Sequence, residues 1–243
     1  MPRKKITKEF ILFDGGDRLD RYYRRATSYF KGSRILDVGC GLGRLRKATA
    51  AKLTGIDISQ DRVAYCKKLG YDETMSCDLD SGLPRFKESF TTVACLDVLE
   101  HLYNPVETLA EINQVLEDKG RVVITCPNAG FWLFRMLHLF GISTSIEIPQ
   151  TIIDDHLRHF TIRRMKNILK LCGFEVKTVQ GMTNLPRLSK PLNFLARIYP
   201  SLLALQFLIV AEKVQQPSAR VKDLLLLNSK SILKQLLQTI KWG

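Results

Sequence analysis

The sequence predicts a single α/β domain built on a mostly parallel sheet of seven strands, with helices on both faces. Short β-branched or apolar runs alternate with stretches of helical periodicity, and this alternation is typical of parallel sheets. The length of 243 residues leaves room for one core with appendages. Hydrophobic residues make up 45% of the chain and charged residues 25%, which excludes a disordered or collagen-like chain.

The predicted elements alternate along the chain as such a sheet requires. Strands are predicted at 34–38, 53–57, 73–77, 91–96, 120–125, 174–179 and 205–211. Helices are predicted at 42–51, 60–69, 105–116 and 162–171. The third helix begins with Pro105, which suits the first turn of a helix.

Acidic residues and glycines concentrate at the carboxyl ends of the predicted strands, where open α/β sheets bind their ligands. They are Asp37 to Gly43, Asp57, Asp78, Asp97 to His101 and Pro127-Asn128. Packing alone would not select acidic residues at successive strand ends. The pattern therefore predicts a ligand site along this edge of the sheet.

A glycine-rich loop, Asp37-Val38-Gly39-Cys40-Gly41-Leu42-Gly43, ends the first strand and opens the first helix. Its glycines permit a tight turn and a close approach of a ligand to the backbone. The dinucleotide fingerprint requires a third glycine at the position of Arg44, and the Gly-Lys-Ser/Thr of a phosphate loop is absent. The carboxylate of Asp37 favours a ligand with positive charge over a pyrophosphate.

Further motifs follow the glycine loop in order along the chain. They are Gly55-Ile56-Asp57-Ile58-Ser59, Cys77-Asp78-Leu79, Leu96 to Leu102, Gly120 to Asn128 and His156 to Thr161. Together, from about Arg34 to Lys213, they resemble the class I S-adenosylmethionine-dependent methyltransferases, in particular their small-molecule group. The resemblance implies a Rossmann-like methyltransferase fold with S-adenosylmethionine as cofactor. The ubiquinone-biosynthesis O-methyltransferases are similar in mechanism.

The resemblance also implies which residues bind the cofactor. The backbone of Gly39, Cys40, Gly41 and Gly43 would lie against its methionine part, with Asp37 facing the ammonium group. The alternative for Asp37, taken singly, is the N-cap of a helix.

The next strand ends would bind the adenosine part. Asp57 would accept both ribose hydroxyls, because a carboxylate is a natural bidentate acceptor, and Ile58 is expected beside it. Asp78 would accept from the adenine amino group, with Leu79 beside the ring. Asp97 would begin the loop nearest the transferred methyl group. An N-cap role is again the alternative for Asp57 and Asp78.

Histidines are the candidate acid–base residues, because a general base assists methyl transfer to a hydroxyl and histidine titrates near neutral pH. His101 follows the fourth strand, and His156 and His159 lie in the segment that borders the substrate pocket in this family. A structural role is the alternative for each of them. His138 stands among aromatic and apolar residues and is expected to be structural.

The six cysteines form no CxxC pair and have no regular spacing. This distribution argues against a zinc site or a disulfide framework, so no metal site is expected and a reducing, cytoplasmic location fits best. The basic N-terminus precedes no apolar segment, which argues against a signal peptide.

Two segments are expected to cover the site in the catalytic domain, residues 34–213. Residues 1–33 are predicted to form a helical cover, in which Arg18, Tyr22 and Arg25 either contact the cofactor carboxylate or face solvent. Residues 128–160 are predicted to be an apolar cover insertion, with a helix at 131–140 that ends at Gly141.

The C-terminal segment, 214–243, is predicted to be a linker at 214–218 followed by a basic amphipathic helix. Its apolar face is formed by Leu226, Leu233, Leu236, Leu237 and Ile240. Such a helix lies on an anionic membrane surface or on a protein, here the domain itself or a dimer partner.

The net charge of +13 is concentrated in the flanks, with +6 in residues 1–34 and +10 in residues 151–243. An anionic partner would meet those flanks, and solubility alone is the alternative explanation.

The sequence thus predicts transfer of a methyl group to a small-molecule acceptor, O-directed and lipid- or isoprenoid-like. The alternatives are an RNA methyltransferase that uses the basic flanks, a cofactor-binding scaffold without activity, and a nicotinamide-dependent oxidoreductase, which Arg44 disfavours. Leu96-Asp97-Val98-Leu99 stands where base amino-methylating enzymes have an Asn/Asp-Pro-Pro-aromatic loop, so nucleic acid is not the expected partner.

Overall fold

The computed structural model describes residues 16–141, 156–182, 195–196, 198–219 and 221. The apolar face predicted for the C-terminal helix lies outside these residues. So do the first 15 residues of the predicted N-terminal cover and residues 142–155 of the predicted insertion.

Seven strands form one sheet. They are β1 Arg34–Val38, β2 Lys52–Asp57, β3 Glu73–Ser76, β4 Phe90–Leu96, β5 Leu116–Pro127, β6 Phe174–Met182 and β7 Gln206–Lys213. Their order across the sheet is β3-β2-β1-β4-β5-β7-β6. Strand β7 runs antiparallel to both of its neighbours, and the other pairings are parallel. The predicted mostly parallel sheet is confirmed.

Helices connect most of these strands. They are α1 Gly16–Thr27, α2 Leu45–Ala48, α3 Gln60–Lys68, α4 Pro105–Val115, α5 Trp132–Leu139, α6 Ile162–Leu171 and α7 Pro200–Leu203. Short 3₁₀ turns occupy Leu79–Ser81 and Leu99–His101. No helix in the described part of the chain is long and apolar enough to cross a bilayer.

The two faces of the sheet pack into two apolar clusters, because successive side chains of a strand point to opposite faces. Leu36 of β1 belongs to one cluster together with α4 and α6 residues such as Leu109 and Met165. Ile35 of the same strand belongs to the other, which also contains Tyr22 of α1. Helix α1 is therefore part of the core.

The strand order reverses between β1 and β4, which lie side by side with Asp37 opposite Ala94. From β1 the chain goes outward to β2 and β3, and then returns to β4 on the other side of β1. Open α/β sheets bind their ligands at such a point, at the carboxyl ends of the strands.

Two elements differ most from the boundaries that the sequence predicts. The helix expected at 42–51 is limited to α2, Leu45–Ala48, because the turn formed by Gly41 and Gly43, both with positive φ, extends the loop. The strand expected at 120–125 begins earlier, at Leu116, and ends at Pro127.

Residues 214–218, expected to be a linker, lie against the domain instead. The amide of Val214 donates to the carbonyl of Gly173 (3.1 Å). The side-chain amide of Asn113 on α4 donates to the carbonyl of Gln215 (3.0 Å). Val221 is only 2% exposed and belongs to the larger apolar cluster. The folded unit thus extends at least to Val221.

Candidate active site

The glycine loop between β1 and α2 is fixed to the neighbouring strand and touches the loop after β4. The amide of Cys40 donates to the carbonyl of Ile56 in β2 (2.9 Å). Gly39 has a φ of +68°, and a Cβ at this position would lie 2.6 Å from Cγ2 of Val98. A side chain there would strain the backbone and push the two loops apart, so this contact requires glycine.

Asp57 ends β2 and connects that strand to the glycine loop. Its carboxylate accepts from the amide of Gly41 (3.0 Å) and from the amide of Ser59 (2.9 Å). The guanidinium of Arg62 lies 3.8 Å from the same carboxylate. The side chain is 5% exposed. Since a carboxylate offers about four lone-pair positions, the two amides leave acceptor capacity for a ligand.

The ends of β2 and β3 also present groups to solvent. Ile58 is 63% exposed, and Asp78 is exposed beside a half-buried Leu79. Asp78 has the N-cap role that was its alternative, because its Oδ1 accepts from the amide of Asp80 (3.1 Å). An exposed capping carboxylate keeps lone pairs that point to solvent, so this role does not exclude contact with a ligand.

Asp37 is almost completely buried at the end of β1. Its Oδ2 accepts from the hydroxyl of Tyr71 (2.6 Å), and the ring of Tyr71 occupies space that a side chain at Gly55 would take. Burial raises the pKa of Asp37 to about 7, although the hydrogen bond from Tyr71 opposes that shift. The hydrogen bond from Tyr71 thus fixes the carboxyl group of Asp37 at the start of the glycine loop.

Asp97 lies in a network of four side chains. Its Oδ2 accepts from the hydroxyl of Tyr22 on α1 (2.7 Å), and its Oδ1 accepts from the side-chain amide of Gln206 (2.7 Å) and from the hydroxyl of Thr125 (3.2 Å). Burial raises the pKa of Asp97, and these donors oppose the shift. Sequence spacing suggested a cofactor contact for three residues. Of these, Tyr22 contacts Asp97 and Arg25 donates to Gln180 on β6 (2.6 Å), and the side chain of Arg18 lies outside the described part of the structure.

Two of the candidate histidines come together at the 3₁₀ turn after β4. The ring centroids of His101 and His156 lie 5.0 Å apart, whereas His159 is exposed. His138 is exposed on α5, with its Nδ1 2.6 Å from the carbonyl oxygen of Phe134. His101 is itself exposed and His156 is half-buried, so the pair also lies at the surface. The pair differs from His138 and His159 because its two rings lie beside each other.

Glu100, which the sequence analysis did not single out, lies beside the histidine pair. It is 1% exposed, and burial together with the charge of Asp97 raises its pKa to about 8. Its Oε2 accepts from the thiol of Cys126 (3.5 Å), and its Oε1 has no hydrogen-bond partner among the described residues. Donor atoms of Glu100, His101 and His156 all lie within 4.8 Å of one another, a set that suits a divalent cation, although no metal site was expected.

Comparisons with known proteins agree with this geometry. The family model described as "Methyltransferase domain" matches residues 36–124. A ubiquinone biosynthesis O-methyltransferase of Aromatoleum aromaticum is 26% identical over 179 residues, which cover 70% of this chain and 74% of that protein. The O-methyltransferase cnsE of Penicillium expansum is 31% identical over 192 residues, which cover 72% of this chain and 62% of that protein.

The chain is a class I S-adenosylmethionine-dependent methyltransferase.

Solved methyltransferase structures share its fold. A Thermotoga maritima S-adenosylmethionine-dependent methyltransferase, titled as a possible histamine N-methyltransferase, superposes with a TM-score of 0.63 at 17% identity over 85% of this chain and 94% of that one. Magnesium protoporphyrin IX methyltransferase from Synechocystis, solved with bound S-adenosylhomocysteine, gives 0.56 at 18% identity over 88% and 90%. These two structures show the fold. The family model and the curated relatives make S-adenosylmethionine the cofactor, and the nicotinamide and inactive-scaffold alternatives are set aside.

The strand-end residues of the methyltransferase fit this cofactor. Asp78, Asp57, Asp37 and Asp97 end or follow the adjacent strands β3, β2, β1 and β4, so the fold places all four along one edge of the sheet. The glycine loop exposes backbone between two of them, and the remaining lone pairs of Asp57 suit a pair of hydroxyl donors. Sequence reasoning missed Tyr71 and Gln206, which are the hydrogen-bond partners of Asp37 and Asp97. It also missed Glu100, which lies beside the predicted histidines.

Proposed function

We propose that this methyltransferase transfers the methyl group to a hydroxyl of a small, lipid-like acceptor. The supporting observation is the cluster of Glu100, His101 and His156 beside the end of β4. A hydroxyl must lose its proton as it is methylated, and an imidazole held near a carboxylate is suited to accept that proton. The similarity to proteins named O-methyltransferases supports the same acceptor atom.

Cofactor binding is assigned to the strand-end residues in this proposal. Gly39, Cys40, Gly41 and Gly43 provide backbone for the methionine part, and Asp37 provides negative charge opposite its ammonium group. Asp57 and Ile58 bind the ribose, and Asp78 and Leu79 bind the adenine. When bound, S-adenosylmethionine supplies a methyl group already activated by its sulfonium. The remaining contribution of the protein is to orient the acceptor and to exclude water.

The apolar nature of the acceptor is inferred from the surface around α5 and α7. Its exposed apolar side chains are Trp132, Leu133, Met136, Leu139, Phe140, Leu195, Ile198, Tyr199 and Leu202. Asn128 joins the two helices, because its side-chain amide donates to the carbonyl of Ala204 (2.8 Å) while the chain continues into α5. Exposed apolar side chains in this number suit a hydrophobic ligand or a membrane surface better than they suit RNA.

The histidine pair is tested by substitution. His101→Ala and His156→Ala are each expected to lower kcat by about 10²- to 10⁴-fold with the affinity for S-adenosylmethionine unchanged. His138→Ala and His159→Ala, which remove exposed imidazoles, serve as controls and are expected to retain turnover. A loss of less than about fivefold in both variants of the pair would mean that positioning alone accounts for catalysis.

A bound divalent cation is the second candidate for the chemistry of this cluster, and the unpartnered Oε1 of Glu100 favours it. A direct histidine base predicts that dialysis against EDTA leaves the rate of methyl transfer unchanged. A loss of activity that Mg²⁺ or Zn²⁺ restores would assign Glu100, His101 and His156 to cation binding. Inductively coupled plasma mass spectrometry of the purified protein provides an independent readout.

The class of acceptor is tested with methyl-labelled cofactor. Phenols and catechols that have an isoprenoid or alkyl chain are expected to incorporate label, and the same head groups without the chain are expected to incorporate less. Aliphatic amines and transfer RNA form the comparison set. Label found only in amines would contradict O-methylation, and label found in RNA would restore the RNA alternative.

A further inference from the structure

The carboxylate of Asp97 is largely occupied by protein donors. Its Oδ1 accepts from Gln206 (2.7 Å) and Thr125 (3.2 Å), and its Oδ2 accepts from Tyr22 (2.7 Å). Three donors fill three of the roughly four lone-pair positions of a carboxylate. Asp97, which the sequence led us to expect near the cofactor, thus accepts hydrogen bonds from residues of α1, β5 and β7.

The backbone of Asp97 is also held by its surroundings. Its φ is +56°, an uncommon conformation for a residue with a side chain. The amide of Asp97 donates to the carbonyl (3.1 Å) and to the hydroxyl (3.0 Å) of Thr125. Because Thr125 also donates to the carboxylate, the left-handed turn depends on the same contacts as the side chain.

This turn determines where the next residue, Val98, is placed. Val98 is buried, and its Cγ2 occupies the space beside Gly39 that a Cβ would fill. The position of the glycine loop is therefore coupled to the position of Asp97 through one van der Waals contact.

Helix α1 lies at the other end of this series of contacts. Tyr22 is buried, and its hydroxyl also contacts Thr125 and Gln206, the latter at 3.3 Å. A second attachment of the same segment lies further along, where the hydroxyl of Tyr29 accepts from Gln180 on β6. Only the first attachment reaches Asp97.

We propose that Tyr22 and Gln206 are positioning residues, which anchor Asp97 so that the loop after β4 holds the glycine loop in its cofactor-binding conformation. Asp97 is then an internal anchor, and docking of α1 completes the cofactor site. This inference depends on the cofactor alone and does not require the proposed acceptor or the histidine base. Its failure is therefore distinguishable from a failure of the proposed function.

The test compares two tyrosines of the same segment in the full chain. Tyr22→Phe is expected to weaken the binding of S-adenosylhomocysteine about tenfold or more in calorimetry, because it removes a donor to a charged acceptor. Tyr29→Phe deletes the equivalent hydroxyl at the β6 attachment and is expected to change affinity less than about twofold. Equal losses in the two variants, or no loss in Tyr22→Phe, would overturn the proposal.

Hydrogen exchange gives a readout that a general loss of stability would not produce. Tyr22→Phe is expected to speed amide exchange both in α1 and in residues 97–101, whereas Tyr29→Phe is expected to affect α1 alone. Gln206→Leu removes a second donor to Asp97, together with the longer contact to Tyr22 (3.3 Å), and is expected to weaken cofactor binding as Tyr22→Phe does. It also keeps the proposal testable if Tyr22→Phe does not fold.

Asp97→Asn separates an anchor from a cofactor ligand. Asparagine tolerates the left-handed conformation, and its side-chain amide can donate to the hydroxyl of Tyr22. An anchor is therefore expected to keep cofactor affinity within about threefold in Asp97→Asn and to lose it in Asp97→Ala. A large loss in Asp97→Asn with unchanged exchange in α1 would make Asp97 a cofactor ligand and would overturn the inference.

Discussion

Asp57 is the residue whose carboxylate both shapes the glycine loop and, in the proposed site, binds the ribose. Asp57→Ala is expected to weaken S-adenosylmethionine binding by about 1.5 to 3 kcal/mol, the range for hydrogen bonds to a charged group. Asp61→Ala, which removes an exposed carboxylate from the first turn of α3, is the matched control. Calorimetry measures both. Unchanged affinity in a folded Asp57→Ala variant would remove Asp57 from the site.

The pKa of Asp37 predicts a pH dependence of stability. Burial raises this pKa from 3.8 to about 7, so between these values the folded state holds a proton that the unfolded state has lost. The contribution of Asp37 to the free energy of unfolding is therefore greatest at low pH and declines as pH rises through this window. Asp37→Asn, which stays neutral, is expected to raise Tm relative to the natural protein at pH 8 and to change it little at pH 4.

Differential scanning calorimetry at several pH values checks this prediction. Only the pH dependence of the difference in Tm is diagnostic, because the substitution also changes the hydrogen bond from Tyr71. A difference that stays constant between pH 4 and pH 8 would contradict the assigned pKa.

At the scale of elements, two glycines of the glycine loop can be compared by substitution with alanine. Both substitutions strain the backbone, but only one of them places a side chain against a neighbouring residue. Gly39 and Gly41 both have positive φ, +68° and +51°, but a Cβ on Gly39 would meet Val98 at 2.6 Å, whereas one on Gly41 would have only a carbonyl oxygen at 3.8 Å. Gly41→Ala is expected to cost about 1 to 2 kcal/mol of stability, the cost of a left-handed residue. Gly39→Ala is expected to cost more, because Val98 must also move.

Urea unfolding of both variants measures the difference, and the affinity for S-adenosylhomocysteine measures its effect on the site. Similar losses of stability for the two would mean that Val98 moves aside easily. In that case the loops after β1 and β4 are less tightly coupled than their contact implies.

The limits of sequence-based prediction also appear at this scale. A strand such as β4 was predictable because a β-branched and apolar run from Thr91 to Leu96 ends at an acidic residue, Asp97. The helix expected at 42–51 was too long, because its apolar spacing gave no sign that the turn at Gly43 extends the loop. The segment 214–218 looked like a free linker because it contacts Gly173 and Asn113 through its own backbone atoms, which leave no pattern in its side chains.

The positions of the site residues were predictable, but their partners were not. Strand ends indicate which residues reach the crevice, and the fold confirms that they share one edge. Tyr22 and Asp97 are 75 residues apart, and Gln206 is 109 residues from Asp97, so no local spacing relates them. The same reason applies to Glu100, whose unpartnered oxygen becomes visible only when its surroundings are known.

At the scale of the whole molecule, the basic C-terminal segment predicts association with membranes. Each lysine near an anionic leaflet contributes about 1 kcal/mol, and burial of the apolar face adds to it. The full chain is expected to co-sediment with phosphatidylglycerol-containing vesicles in a salt-sensitive way, and a chain ending at Val221 is expected to do so much less. This end point preserves the contacts of residues 214–221 with the domain.

A full-length variant with Lys230, Lys234 and Lys241 replaced by Glu is the control for charge at constant length. It is expected to bind anionic vesicles as weakly as the shortened chain does. Equal binding by all three proteins would assign the tail to packing on the domain or to a dimer contact, and sedimentation equilibrium would identify the latter.

The position of β7 has a consequence for biosynthesis. Among the strands that the structure describes, this one is made last, yet it lies between β5 and β6. Its first residue is Gln206, which donates to Asp97. A nascent chain that has completed β6 therefore has no neighbour for that strand, and its loop after β4 lacks one of its anchors. We expect incomplete chains that lack β7 to bind S-adenosylmethionine poorly. The glycine loop can reach its cofactor-binding conformation only after the ribosome has synthesised β7.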